Sequence, residues 1–272
     1  MPDPMNAELI EIVESDMGIW VRDRIQDLPD RAKFCAHNAV RALYWAGGIA
    51  TLESTTYREG ERGYRVPAAF FLGHAMEEAV AAFVACAKES GYRELAKVIN
   101  PKDHVHKTTL PWLITQIANM LQTYKIGIAY HSEHDRIAVR YEENEKTSFQ
   151  FASMGMLKYL DQNGDASVSL TDDIYARFSN VTDVNKLITQ NAEHRNTLIY
   201  ASNTGFRTGP PDLEAELSAL SKTVMGILWA TVDIWEHREE QVQLVELILK
   251  TTHELAEATK RPKLCKSCGE EI

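Results

Sequence analysis

The chain has 272 residues, 44% of them apolar and 25% charged, enough to bury a sizeable core in one main domain. A net charge of −10 excludes a broad basic face for non-specific duplex binding, because that affinity comes from lysine and arginine neutralising phosphates. Four cysteines in so long a chain exclude a disulfide framework, and MPDPMNAELIEIVE lacks the basic-then-apolar order of a signal peptide, so a cytoplasmic protein is expected.

In chain order, Asp30 is placed to cap a helix through RAKFCAHNAVRALYWAGGIATLE, where Phe34, Ala36, Val40, Leu43 and Tyr44 recur near helical spacing. A bend or frayed end is expected at Gly47-Gly48. The polar loop TTYREGERGYR then leads to Pro67 in the first turn of a second helix, RVPAAFFLGHAMEEAVAAFVACAK, from Arg65 to Lys88. The two helices predict an antiparallel hairpin. The second is long enough to cross a membrane, but its central His-x-x-Glu-Glu would be costly in lipid and no second span is read in the sequence. A buried core helix is expected instead, followed by a short helix in SGYRELAKVINP.

After DHVHKTT, which reads as a loop or a helix start, the segment LPWLITQIANMLQTY puts Leu110, Leu113, Ile114, Ile117, Ala118 and Leu121 on one helical face. In residues 125–170, Val139, Tyr141, Phe149 and Phe151 alternate weakly with polar neighbours, which suits a short hairpin and an accessory helix-loop-helix equally. Thr171 and Asp172 open a further helix through IYARFSNVTDVNKLITQNAEHRNTLIYAS. TGFRTGPPD is a break, and Asp212 after Pro210-Pro211 starts a last long helix that runs to Lys260. Its Trp229, Val232, Trp235 and Val242, with the run from Leu244 to Leu249, offer apolar area for core and subunit contacts. The expected architecture is all-α, an antiparallel helical bundle over residues 1–260 with an accessory insertion around 125–170 and a tail at 261–272.

Four groups of residues bear on chemistry. On a wheel of about 100° per residue, His74, Glu77 and Glu78 share a sector of roughly 100°, so that sector must meet something polar inside the protein. Hydrogen bonds or arginine pairs across the bundle would satisfy it, and a metal is a further option because a His and a Glu four apart lie one above the other. Di-iron bundles need Glu-x-x-His on two helices, whereas the spacing here is single and reversed, so no metal is expected at these residues. The second group is Asp103, His104, His106 and Lys107. The third is Arg195, Asn196 and Tyr200 in EHRNTLIYAS, where a guanidinium, an amide and a phenol suit the oxygens of a phosphate. Cys265-x-x-Cys268 is half a zinc site on a tail expected to be solvated, while Cys35 and Cys86 read as core thiols.

The order of these pieces resembles the abortive-infection V (AbiV) family of the HEPN (higher eukaryotes and prokaryotes nucleotide-binding) superfamily. Three stretches carry the resemblance: HNAVRALYWAGGIATLE with VPAAFFLGHAMEEAVAAF, then DHVHK, then HRNTLIYAS with TGFRTGPPD. It covers roughly residues 30–260. The resemblance implies an all-α homodimer and, as in many members of that superfamily, a metal-independent ribonuclease of phage defence or of a toxin–antitoxin pair, acting without a cofactor. The superfamily pattern is Arg, a polar residue, then His after four to six intervening residues. Arg195 and Asn196 match its first two places, and Tyr200 stands where His is expected.

On this basis the catalytic residues are expected to be Arg195, Asn196, Tyr200, Glu77, Glu78 and His106, with His74, His104, Lys107 and His194 binding substrate. Cleavage without metal needs a base for the 2′-hydroxyl, a cation for the phosphorane and an acid for the leaving 5′-oxygen. Tyr200 is a poor base at neutral pH, so a histidine must contribute. The expected partners are an RNA substrate, a second copy of the chain, and an antitoxin or phage-derived trigger, with no membrane. The alternatives are a non-catalytic module of the same superfamily, binding a nucleotide, an RNA or a partner protein, and a metal-carboxylate bundle built on His74, Glu77, Glu78, His104 and His106.

Overall fold

The computed structural model describes residues 12–50, 65–123, 127–143, 146–161, 163–178, 181–199 and 212–260, without the side chains of 122–128, 142–143 and 194–199. Its helices are α1 (Asp16–Arg24), α2 (Asp30–Ala50), α3 (Arg65–Glu89), α4 (Arg93–Lys97), α5 (His104–Thr123), α6 (Thr171–Arg177), α7 (Val181–Ile199), α8 (Leu213–Glu236) and α9 (Gln243–Lys260). Between α5 and α6 stand three strands, β1 (Gly127–His131), β2 (Arg136–Glu143) and β3 (Lys146–Phe151).

The α2–α3 pair is the centre of the molecule. Asn38 meets His74 and Trp45 meets Phe71, so partner numbers fall on one helix as they rise on the other, and the hairpin is antiparallel as expected. Both helices bury alanines along the seam, Ala32, Ala36, Ala39 and Ala46 on α2 and Ala68, Ala75, Ala79 and Ala82 on α3. Side chains this short let the two axes approach closely. That packing carries α2 through Gly47-Gly48 to Ala50. Beyond the end of α3, Gly91 takes φ 90°, while the Tyr92 amide donates to the Ala87 carbonyl at 3.0 Å.

Two expectations are corrected. The helix expected to run unbroken from Thr171 is two, α6 and α7, and the long C-terminal helix is also two, α8 and α9. At the second break the polar run His237 to Gln241 offers the core no apolar anchor, and the Tyr92 hydroxyl clamps the turn, donating to the Glu240 carbonyl at 3.2 Å and accepting from the Val242 amide at 2.7 Å. Helix α9 packs on α5 and α7, where Leu113, Ile174, Val184, Ile188, Leu247 and Leu255 build a second, smaller core. Of the two alternatives for the region after α5 the strands form, as an antiparallel sheet of order β1-β2-β3, so the fold is mostly helical with a small sheet. Ile137 seats the sheet on the main core, with Tyr130 packed beside it.

Helix α8 is long and apolar enough to cross a membrane, as is α3, so a second such segment does exist. The two pack against each other, and most of each apolar stretch is buried inside the protein. Trp229 and Val232 of α8 and Val242 at the entry to α9 are core residues.

Candidate functional site

The polar sector of α3 divides between two helices, α5 and α2. Glu77 turns to α5, where its carboxylate accepts from the Lys107 ammonium at 2.8 Å and lies 3.3 Å from Nδ1 of His104. The Glu77 and Lys107 side chains are only 13% and 16% exposed, so the two charges compensate each other largely away from water. His104 and Lys107 lie three residues apart on α5 and so share one face. A hydrogen on His104 Nδ1, facing the carboxylate, leaves Nε2 as the basic nitrogen.

Glu78 turns to α2 and shares a hydrogen bond with the Cys35 thiol. Burial first, and the Glu78 charge second, push that thiol above its ordinary value, while burial pushes Cys86 up to about 12. Both are protonated core thiols rather than nucleophiles. His74 meets Asn38, whose Nδ2 lies 3.3 Å from Nε2 of the ring. Arg41 donates to Oδ1 of Asn38, which fixes the amide with its nitrogen toward the histidine. Nδ1 of His74 therefore carries the hydrogen, and it is buried with no hydrogen-bond partner among the described residues.

His106 does not join Glu77. Two residues along α5 from His104, it faces the other side of the helix, where it is 3% exposed and packs against α9. Its Nδ1 accepts from the Asn100 amide at 3.0 Å, and its Nε2 lies 3.5 Å from Glu257 and 3.4 Å from the Lys260 ammonium. Burial first, and Lys260 second, push its pKa below the ordinary histidine value, so the ring is neutral near pH 7. With Nδ1 accepting, the hydrogen sits on Nε2. The ligand atoms of His106, His253 and Glu257 lie within 4.8 Å of one another, yet the nitrogen aimed at that group would have to lose its hydrogen to bind a metal.

A cavity of about 420 Å³ opens beside the Glu77–Lys107 pair, lined by Gly73 and Met76 of α3, Thr108, Pro111 and Trp112 of α5, and Asn191 and Ala192 of α7. Pro111 has no N–H to give the Lys107 carbonyl, so the hydrogen-bond ladder of α5 lacks one rung at this wall. Arg195 and Asn196 follow Asn191 and Ala192 by one turn in α7; their side chains, and that of His194, lie outside the described residues. Tyr200, Cys265 and Cys268 lie outside them altogether.

A second cleft, of about 340 Å³, lies between the sheet and the helices and was not legible in the sequence. Trp20, Arg24, Arg136, Phe151, Asp233 and His237 line it. Asp233 accepts from the Met154 amide at 2.8 Å and from the Ser153 hydroxyl at 3.3 Å, and so ties the turn after β3 to α8. Nδ1 of His237 lies 2.9 Å from the Asp233 carbonyl and 3.3 Å from its carboxylate, two acceptors that place the hydrogen there and leave Nε2 basic. Only the i, i+4 spacing of this pair marks it in the sequence.

Burial raises the Asp233 pKa above the ordinary carboxylate value. A carboxyl whose folded pKa is raised adds stability below the unfolded pKa, near 3.9, and loses it as pH rises through the folded pKa. Asp233→Asn keeps an acceptor for Met154 and removes the titration. The melting temperature of the variant, relative to the parent, is therefore expected to increase from pH 4 to pH 7, as thermal scans across that range would record. A difference that does not change with pH would refute the assignment.

No family model, curated protein or solved structure matches the chain.

Proposed function

We propose that the protein is an RNA-directed effector of phage defence, a metal-independent endoribonuclease whose centre lies between α3, α5 and α7. The observation that carries this reading is the bridge Glu77 makes between His104 and Lys107 beside a cavity whose third wall is the helix bearing Arg195 and Asn196. His104 takes the proton of the 2′-hydroxyl through Nε2, with Glu77 holding the ring in that tautomer. Lys107 and Arg195 stabilise the charge that builds on the phosphorane, and Tyr200 donates to the leaving 5′-oxygen. His104 thus takes the role expected of His106. A second copy of the chain would bring two such centres to one cleft, and an antitoxin or phage-derived trigger would govern access to it.

A second reading, a non-catalytic module that binds a nucleotide, an RNA or a partner protein, is favoured by the same ion pair, because Glu77 already neutralises the Lys107 charge. Incubating the protein with end-labelled single-stranded RNA in EDTA separates the two. Cleavage is expected from the parent, with at least a roughly 100-fold loss in Arg195→Ala and in His104→Ala, the scale of a lost general base or charge-stabilising group. Cleavage that survives both substitutions removes this centre, and binding without cleavage by the parent selects the second reading. Light scattering is expected to show a dimer.

A further inference from the structure

The sheet has two faces of opposite character. Register pairs Arg136 with His131, Ala138 with Phe151 and Arg140 with Phe149, and residues opposed in this way lie on one side of a sheet. Ile137 and Tyr130 take the side that meets the helices. On the other side Arg136, Arg140, Phe149 and Phe151 are exposed and His131 is half-buried, with Ala138 fully covered between the two arginines. Phe149 and Phe151 are 47% and 45% exposed there, unusual for rings this large.

The rings on this face are ordered by their neighbours. Phe149 and His131 meet edge to face at 5.3 Å, His131 and His134 at 4.9 Å, and His134 and Phe151 edge to face at 5.2 Å, a continuous row of four. The Arg136 guanidinium lies 5.4 Å from the centre of the Phe151 ring, and Arg140 stands opposite Phe149. Both arginines are exposed, and neither is paired with a carboxylate among the described residues. In a chain of net charge −10 these are exposed cations on an aromatic surface, where one carboxylate, that of Glu133, lies among the His131 and His134 nitrogens, within 4.8 Å of them. The row leads into the second cleft, where Arg24 lies 3.9 Å over the ring of Trp20.

We infer that this face is a platform for single-stranded RNA, with bases stacking on Phe149 and Phe151 and phosphates meeting Arg136 and Arg140. Flat rings accept any base by its face, guanidiniums accept phosphate oxygens, and a duplex offers neither because its bases are stacked inside. The choice of RNA rests on the function proposed above, while the grip it describes is separate from the cleavage centre.

The test is fluorescence anisotropy of the full chain with a labelled oligouridylate of about 12 nucleotides in EDTA, a length within the usual range for such surfaces. Its riboses are 2′-O-methylated, which removes the nucleophile for cleavage. Phe149→Ala/Phe151→Ala is expected to weaken binding about 100-fold, roughly tenfold for each stacking ring. Arg136→Gln/Arg140→Gln is expected to flatten the dependence of log affinity on log salt by about 1.4, near 0.7 for each phosphate contact. All four side chains are exposed, so thermal melting should match the parent, and Phe149→Trp should retain affinity.

Parent affinity in both double variants overturns the platform while leaving the nuclease centre to its own assay. Failure of the parent to bind any single strand overturns the platform, while cleavage in the EDTA assay decides the nuclease centre separately. Tighter binding to a duplex, or a dimer that these substitutions convert to a monomer without change in RNA affinity, assigns the face to another occupant and overturns the inference.

Discussion

Alanine in place of Glu77 is expected to lower the melting temperature by about 6 °C and to abolish RNA cleavage. The substitution leaves the Lys107 ammonium, 2.8 Å from its present partner and 16% exposed, without a counter-charge. Breaking a fully buried pair costs about 3–5 kcal/mol, and the water that reaches this site reduces the loss to about 2 kcal/mol. For a domain of this size each kcal/mol is worth about 2–4 °C. Glu77→Ala/Lys107→Met is expected to recover most of the stability, because neither charge then remains, but none of the cleavage. Calorimetry and a gel assay on the same preparations separate the two effects. A double variant that cuts RNA at the parent rate would show that the pair takes no part in the reaction.

The largest loss of stability is expected from Phe83→Ala, about 4 kcal/mol, or a fall of roughly 12 °C. Phe83 is fully buried in α3, within the principal core. Much of that core on α2 and α3 is alanine, and a methyl group cannot swing into a neighbouring void. The space left by the ring therefore stays open, which puts the cost toward the upper part of the usual range. Phe83 lies six residues beyond Glu77, so cleavage in the cold should be retained. Urea unfolding would measure the loss, and a value below about 1 kcal/mol would mean that the core collapses around the deletion.

The helical hairpin was readable because alanine, leucine and valine recur at helical spacing and Pro67 marks where α3 begins. His74, Glu77 and Glu78 were readable as a polar sector, but not which partner each would take. That depended on α5 beginning at His104: once those residues are helical, His104 and Lys107 share a face and His106 leaves it. Pro111 is tolerated inside that helix. The breaks before α7 and α9 lack a glycine or proline, and apolar spacing resumes on their far sides, so periodicity alone ran through them. The contact of Asp233 with Met154 spans 79 residues and leaves no local mark. Alternation in the strands was weak because one face of the sheet carries aromatic rings outward, the opposite of what burial would choose.

The proline in α5 has a mechanical consequence. A helix bends most easily where a rung of its ladder is missing, so the opening turns of α5 pivot against the remainder at lower cost than an intact helix would allow. His104 and Lys107 ride on the short arm of that joint and Trp112 on the long one. Tilting the short arm changes the gauge of the chamber beside them without unwinding a single turn, and it carries His104 and Lys107 together as one jaw.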